Sequence, residues 1–229
     1  MLWTTFADYL DVNRVMFTIM GYPMSYIEFF GTLFNLWSVW LIAKQRIATW
    51  PVGIVGVLLF LILFYQIQLY SDTLEQVYYL IIGVYGWWRW STAQQSVSTR
   101  ALPIRFSRPS TLGLGIGITV VLSLLLGLLI SRIHVLLPAL FPEPASYPFL
   151  DALTTMMSFT AMFLMAQKRI ESWAYWIAVD IIGIGLYYAK DVAFIALLYV
   201  VFLVLAVNGL RMWLREARQP ILVPASHAG

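Results

Sequence analysis

The length of its apolar stretches constrains this chain more than any other feature. Seven stretches, at about residues 25–43, 51–69, 73–90, 111–131, 149–166, 172–189 and 192–213, carry no charged run. Each is close to the ~20 residues that a helix needs to cross the hydrocarbon core of a bilayer. Hydrophobic residues make up 61% of the 229 and charged residues 11%, where a soluble domain has roughly 45–50% and ~25%. Mean hydropathy is +0.81. Neither a water-soluble globule nor a disordered chain fits. There are no cysteines and two histidines, His134 and His227. Disulfides, thiolate catalysis, iron–sulfur clusters and Cys-based zinc sites are excluded. A net charge of +3 without a basic run argues against nucleic acid. The expectation is an all-α membrane protein of seven transmembrane helices, in contact with lipid, needing no cofactor and not an enzyme.

Basic residues set the orientation. With the N-terminus outside, the inner segments hold Lys44, Arg46, Arg89, Arg100, Arg105, Arg108, Lys168, Arg169, Arg211, Arg215 and Arg218. The outer ones hold Arg14, Arg132 and Lys190. The asymmetry predicts N-out, C-in. Residues 1–24 contain Asp8, Asp11 and Arg14 among Trp3, Phe6, Leu10 and Met16. That pattern lacks the basic start and pure apolar run of a signal peptide and reads as an interfacial helix or a tail.

The chain repeats itself. Shifting it so that Trp90 lies on Trp213 aligns residues 41–90 with 164–213, without a gap, at fourteen identities in fifty positions. Composition this biased gives ~10% by chance. AKQRIATW (43–50) lies on AQKRIESW (166–173), Tyr65 on Tyr188 and Gly86 on Gly209. Two three-helix bundles, 25–90 and 149–213, are therefore expected. Between them lies a linker, 91–148, containing one connector helix at about 111–131. A cytoplasmic tail, 214–229, follows the second bundle. A single connecting span leaves both halves pointing the same way, a 3+1+3 parallel repeat with the topology of SWEET carriers. Transporters built from parallel repeats place substrate at the repeat interface, near the bilayer midplane.

Ionisable residues at membrane depth are functional candidates by default. Asp180, near the centre of the sixth stretch, is the sharpest, and its repeat counterpart is Val57, so the charge is asymmetric. Trp173, Trp176, Asp180 and Tyr187 fall on one helical stripe. Rings beside a carboxylate suit a flat, cationic ligand, through stacking, cation–π attraction and bonds to hydroxyls. Packing of these aromatics into a core is the competing reading. Asn35, Gln76, Asn208 and Tyr79 add hydrogen-bonding groups within the spans, each of which could equally bond a neighbouring helix.

Several stretches resemble the nicotinamide riboside transporter (PnuC) family. They are QIQLY (66–70), EQVYY (75–79), VYGWWRW (84–90), KRIESWAYW (168–176) and NGLRMW (208–213). The resemblance implies a bacterial inner-membrane carrier of nicotinamide riboside working by facilitated diffusion. Uptake is made one-way by a cytoplasmic riboside kinase, the functional partner this implies. Gln76, Trp173, Trp176, Asp180 and Asn208 are the expected substrate contacts, with Asn35, Tyr79 and Tyr187 next. Relatives in the same fold carry thiamine or riboflavin, and these vitamins stay open as substrates. A SWEET-type sugar carrier and a seven-helix receptor are the other readings, although no mid-span lysine in the last helix could hold retinal. Oligomeric state is left open, a homo-oligomer included.

Overall fold

The computed structural model describes residues 8–67, 70–95, 102–138, 144–189 and 193–218. Expectations for Trp3, Phe6, Arg100, Lys190, His227 and residues 219–229 lie outside the described residues. Among the described residues two strands, β1 (Val15–Ile19) and β2 (Tyr22–Ser25), precede seven long helices. These are α1 (Tyr26–Ala43), α2 (Thr49–Gln66), α3 (Tyr70–Gln95), α4 (Pro109–Leu136), α5 (Pro148–Ala166), α6 (Glu171–Ala189) and α7 (Ala193–Arg218).

Asp8 and Tyr9 are helical, and residues 15–25, at the end of the segment expected as an interfacial helix or tail, form an antiparallel hairpin turning at Met20 and Gly21, with φ of 51° and 82°. Two positive φ values make the tight connection whose twist matches paired strands. Alternation of Val15, Phe17 and Ile19 and the Met-Gly turn favour strand over helix. The hairpin is fastened to the helices by side chains. Gln66, at the end of α2, donates to the Leu10 carbonyl at 2.7 Å and accepts from the Val12 amide at 3.0 Å. Tyr22 stacks on Phe194 of α7 at 5.4 Å and donates to Glu28 at 2.6 Å. Ser25 accepts from the Glu28 amide and so caps α1.

Helices α1, α2, α4, α5 and α7 are long and apolar enough to cross a membrane. Two of the seven expected spans, α3 and α6, fall short of that apolarity. They carry Asp72, Glu75 and Arg89, and Glu171 and Asp180, together with many Tyr and Trp. Helix α3 continues to Gln95 and α7 to Arg218, past the expected bundle ends at 90 and 213. The expected linker is partly ordered by pairing. Arg105 bridges to Arg169 through Arg105 N–H to the Lys168 carbonyl and Ile170 N–H to the Arg105 carbonyl, each 3.3 Å.

The principal helix contacts form a closed circuit, α2–α1–α7–α6–α5–α3–α2. Helix α4 packs on α5, outside the circuit. The repeat is visible in the contacts themselves. The turns α1–α2 and α5–α6 carry Gln45 and Lys168 at φ 56° and 53°. Left-handed non-glycine residues are uncommon, so their recurrence at equivalent positions marks one turn used twice. In both turns the next residue's amide, of Arg46 or Arg169, reaches back to the carbonyl of Leu41 or Leu164, which satisfies a helix-end acceptor.

These turns meet. Lys168 donates to Gln45 at 3.2 Å, an interaction between repeat-equivalent residues. Trp90 donates to the Ala166 carbonyl at 3.0 Å, and Trp213 to the Ala43 carbonyl at 3.2 Å. Each half thus caps a helix end of the other half. Behind each bond an equivalent indole packs: Trp50 meets Trp90 edge-on at 5.3 Å, and Trp173 meets Trp213 at 5.5 Å. The facing residues are Gly86 and Gly209, where a Cβ would overlap the Trp50 and Trp173 rings. Glycine is required there by close approach, not by backbone angle.

Candidate functional site

Side chains from four helices converge inside the circuit, away from the tryptophan seam. Tyr79 of α3 donates to Glu75 at 2.6 Å, and Ser158 of α5 lies in hydrogen-bonding reach of the same hydroxyl. Tyr78 stacks on Phe159 of α5 at 4.0 Å and donates to its carbonyl at 2.8 Å. Tyr199 of α7 stacks on Tyr187 of α6 at 5.4 Å. Tyr199 also lies in electrostatic reach of Glu75 and Asp180. Helices α3 and α7 are not principal neighbours in the circuit, so Glu75 and Tyr199 face one another across its interior.

Local sequence explains the placement. On α6, Asp180, Gly183 and Tyr187 share a stripe. Gly183 has no side chain, and the Tyr199 ring occupies that space. This brings α7 close and turns Tyr199 toward the carboxylate side. Asp180 is 5% exposed and Gln76 is 7% exposed. Neither makes a hydrogen bond or ion pair with a described residue. Buried polar groups are normally bonded, and leaving a buried acceptor unmade is costly. Asp180 on α6 and Gln76 on α3 are thus two polar side chains not committed to another described residue.

The eight expected contacts divide. Tyr79, Asp180 and Tyr187 belong to the interior convergence, and Gln76 is buried on α3 next to Glu75. Trp176 is half-buried on the same stripe, between Asp180 and the seam, and packs partly against the seam cluster. Asn35 donates to the Gly31 carbonyl at 3.0 Å and fills the close approach of α1 to Gly56 of α2. Trp173 is 1% exposed and is packed in the seam against Trp213 and Gly209. It sits two helical turns from Asp180, ~10 Å along the axis, and the structure does not bring the two together. Asn208 is exposed. It stands nine residues from Tyr199, which on a helix is the opposite face, so it too is separated from the others.

Glu75, Ser158 and Tyr199 complete the convergence and were absent from the expected contacts. The repeat carried a signal for two of them, since Tyr199 is the counterpart of Gln76 and Ser158 that of Asn35. Among the described residues no group of three or more His, Asp or Glu could hold a metal ion.

Comparison with known proteins identifies the architecture. The family described as nicotinamide mononucleotide transporter matches residues 25–215. The nicotinamide riboside transporter PnuC of Escherichia coli (strain K12) is 30% identical over 230 residues, covering 93% of this chain and 96% of that protein. The riboflavin/roseoflavin transporter RibM of Streptomyces davaonensis is 25% identical over 214 residues, covering 92% and 96%. A crystal structure of the vitamin B3 transporter PnuC superposes with a TM-score of 0.62 at 21% identity, covering 84% of this chain and 82% of that one. At that identity the superposition establishes a shared fold. The chain belongs to the nicotinamide mononucleotide transporter family.

Proposed function

We propose that this protein carries nicotinamide riboside across a bacterial inner membrane by facilitated diffusion. The observation that carries the reading is the buried carboxylate of Asp180, in electrostatic reach of Tyr199 and on one helical stripe with Trp176 and Tyr187, together with the buried amide of Gln76 on α3. Nicotinamide riboside is a flat pyridinium cation on a ribose. In a low-dielectric interior a carboxylate attracts that cation strongly, and a ring face adds cation–π attraction. The Gln76 amide offers both donor and acceptor, as a carboxamide or ribose hydroxyls require. Asp180 supplies the charge, Trp176 a stacking face, and Gln76 orientation.

The two halves are a 3+1+3 parallel repeat with α4 as connector, N-terminus outside and C-terminus inside. The basic residues support this orientation, and the shared Gln45/Lys168 seam is what two like-oriented halves would form at one end of the pathway. In this arrangement the seam closes the cytoplasmic end. Opening it requires Trp90 and Trp213 to leave the carbonyls of the opposite half. Transport down a gradient needs no more than this alternation, and a cytoplasmic riboside kinase makes uptake one-way.

Calorimetry on the purified protein tests the reading. Nicotinamide riboside should bind, and should equilibrate across proteoliposomes irrespective of a proton gradient. Thiamine, riboflavin and glucose are run in parallel. RibM's resemblance makes riboflavin the second reading, and preferential riboflavin binding would replace the first. Failure of every compound to bind or equilibrate would remove both.

A further inference from the structure

Outside the helix circuit lies a cleft of about 390 Å³ between α4, α5 and α6. Leu112, Ile116 and Val120 line one wall, Leu153 and Met157 the second, and Ala174 and Tyr175 the third. We propose that this cleft binds an anionic phospholipid, one acyl chain in the cleft and its phosphate against Arg105 and Arg108.

Three observations at the mouth agree. Glu171, at the start of α6, lines the cleft, and its carboxylate accepts from the Ser107 amide at 2.6 Å and faces its hydroxyl at 3.4 Å. Segment 105–108 is thereby fixed at the rim, with Arg105 and Arg108 exposed on either side of Ser107. Arg169 stands beside them, its guanidinium donating to the Phe106 carbonyl at 3.1 Å. Arg105, Arg108 and Arg169 outnumber the single carboxylate of Glu171, so the rim is net basic. Second, α4 begins there with Pro109 at its first position and no side-chain cap. Its first turn adjoins Arg108 at the same rim, a setting that favours a phosphate. Third, Tyr175 lines the cleft, and its buried hydroxyl has no hydrogen-bond partner among the described residues. It lies one turn deeper than Glu171, ~6 Å along the helix, the level of an ester carbonyl below a headgroup. Beyond the cleft, α4 presents Leu114, Val121, Leu125 and Leu128, all exposed, so the acyl chain continues into bulk lipid.

Thermal melting of the full-length protein in detergent tests this, with added phosphatidylglycerol, phosphatidylcholine of the same chains, or glycerol 3-phosphate. A ligand at ~100-fold its dissociation constant stabilises the folded state enough to raise the midpoint by about 5 °C or more in a chain this long. That rise is expected for phosphatidylglycerol alone. Ala174→Phe, which fills the cleft, and the surface double variant Arg105→Gln/Arg108→Gln should each reduce it to below about 1 °C. The double variant touches no packed side chain, so it keeps the test open if Ala174→Phe folds poorly. Equal shifts with both lipids, an equal shift with glycerol 3-phosphate, or a shift retained in the double variant would overturn the proposal. So would a drop in oligomer mass on Ala174→Phe without lipid dependence, which would assign the cleft to a second copy of this chain.

Discussion

The two halves of the molecule share a seam and differ in their interior. At the seam the repeat is nearly literal: Trp50, Gly86 and Trp90 are matched by Trp173, Gly209 and Trp213, and both turns adopt the same left-handed residue. Inside, the counterparts diverge. Val57 faces Asp180 in the alignment, Gly53 faces Trp176, Phe64 faces Tyr187 and Gln76 faces Tyr199. Duplicated packing gives each half the same grip on the other. Substituted interior positions put a carboxylate on α6 where the first half has Val57, and an amide on α3 where the second half has Tyr199. An asymmetric ligand such as a nucleoside needs the second feature, and a hinge between similar halves needs the first.

Truncation at the seam gives the largest expected effect. Trp213→Ala removes a fully buried indole and its bonds to α1, and Trp90→Ala removes the counterpart. Each should lose about 3–5 kcal/mol of stability, read by denaturant or thermal unfolding. Unequal losses would break the symmetry argued for the seam. Gly86→Ala and Gly209→Ala form a milder pair, each forcing a Cβ against an indole at about 1–3 kcal/mol.

The interior is sharpened by exchanging counterparts. Asp180→Val installs the residue of the first half, and Asp180→Asn removes only the charge. Both should weaken nicotinamide riboside binding by about tenfold or more in calorimetry, with little loss of stability, since Asp180 bonds no described residue. Trp176→Ala should weaken binding comparably while the purified protein stays monodisperse. Trp173→Ala should instead report mainly as destabilisation. If Trp173→Ala proves stable yet non-binding, the division between seam and interior fails.

A pH dependence offers a further check on the seam. Burial pushes the Lys168 ammonium down from 10.5 to about 8, partly countered by Glu216. Between these values the unfolded chain binds more protons than the folded one, so stability rises with pH through that window. Lys168→Met should flatten the rise in melting temperature between pH 8 and 10.

Much of this architecture is legible in the order of residues. Apolar stretches of bilayer length locate the helices to within a few residues, and the repeat pairs Trp50 with Trp173 and Trp90 with Trp213, while their meeting in one seam shows only in the packing. Asp180 stands out because a charge within an apolar stretch is costly. Less legible is the hairpin at Val15–Ser25, whose short alternation also fits an amphipathic helix. Stripe and motif draw Trp173 and Asn208 toward the site, and periodicity cannot separate them from it. A stripe on α6 runs from seam to interior, and the neighbour at each level decides what a residue does.

Sequence alone determined that this chain enters a membrane as a duplicated set of helices, because hydrophobic length and self-similarity are properties of residue order. Only the tertiary structure decided which aromatics lock the halves together and which surround an unbonded carboxylate. That depends on where Gly86, Gly183 and Gly209 let helices approach. The approach sets which rings are consumed by packing and which polar groups are left for a ligand.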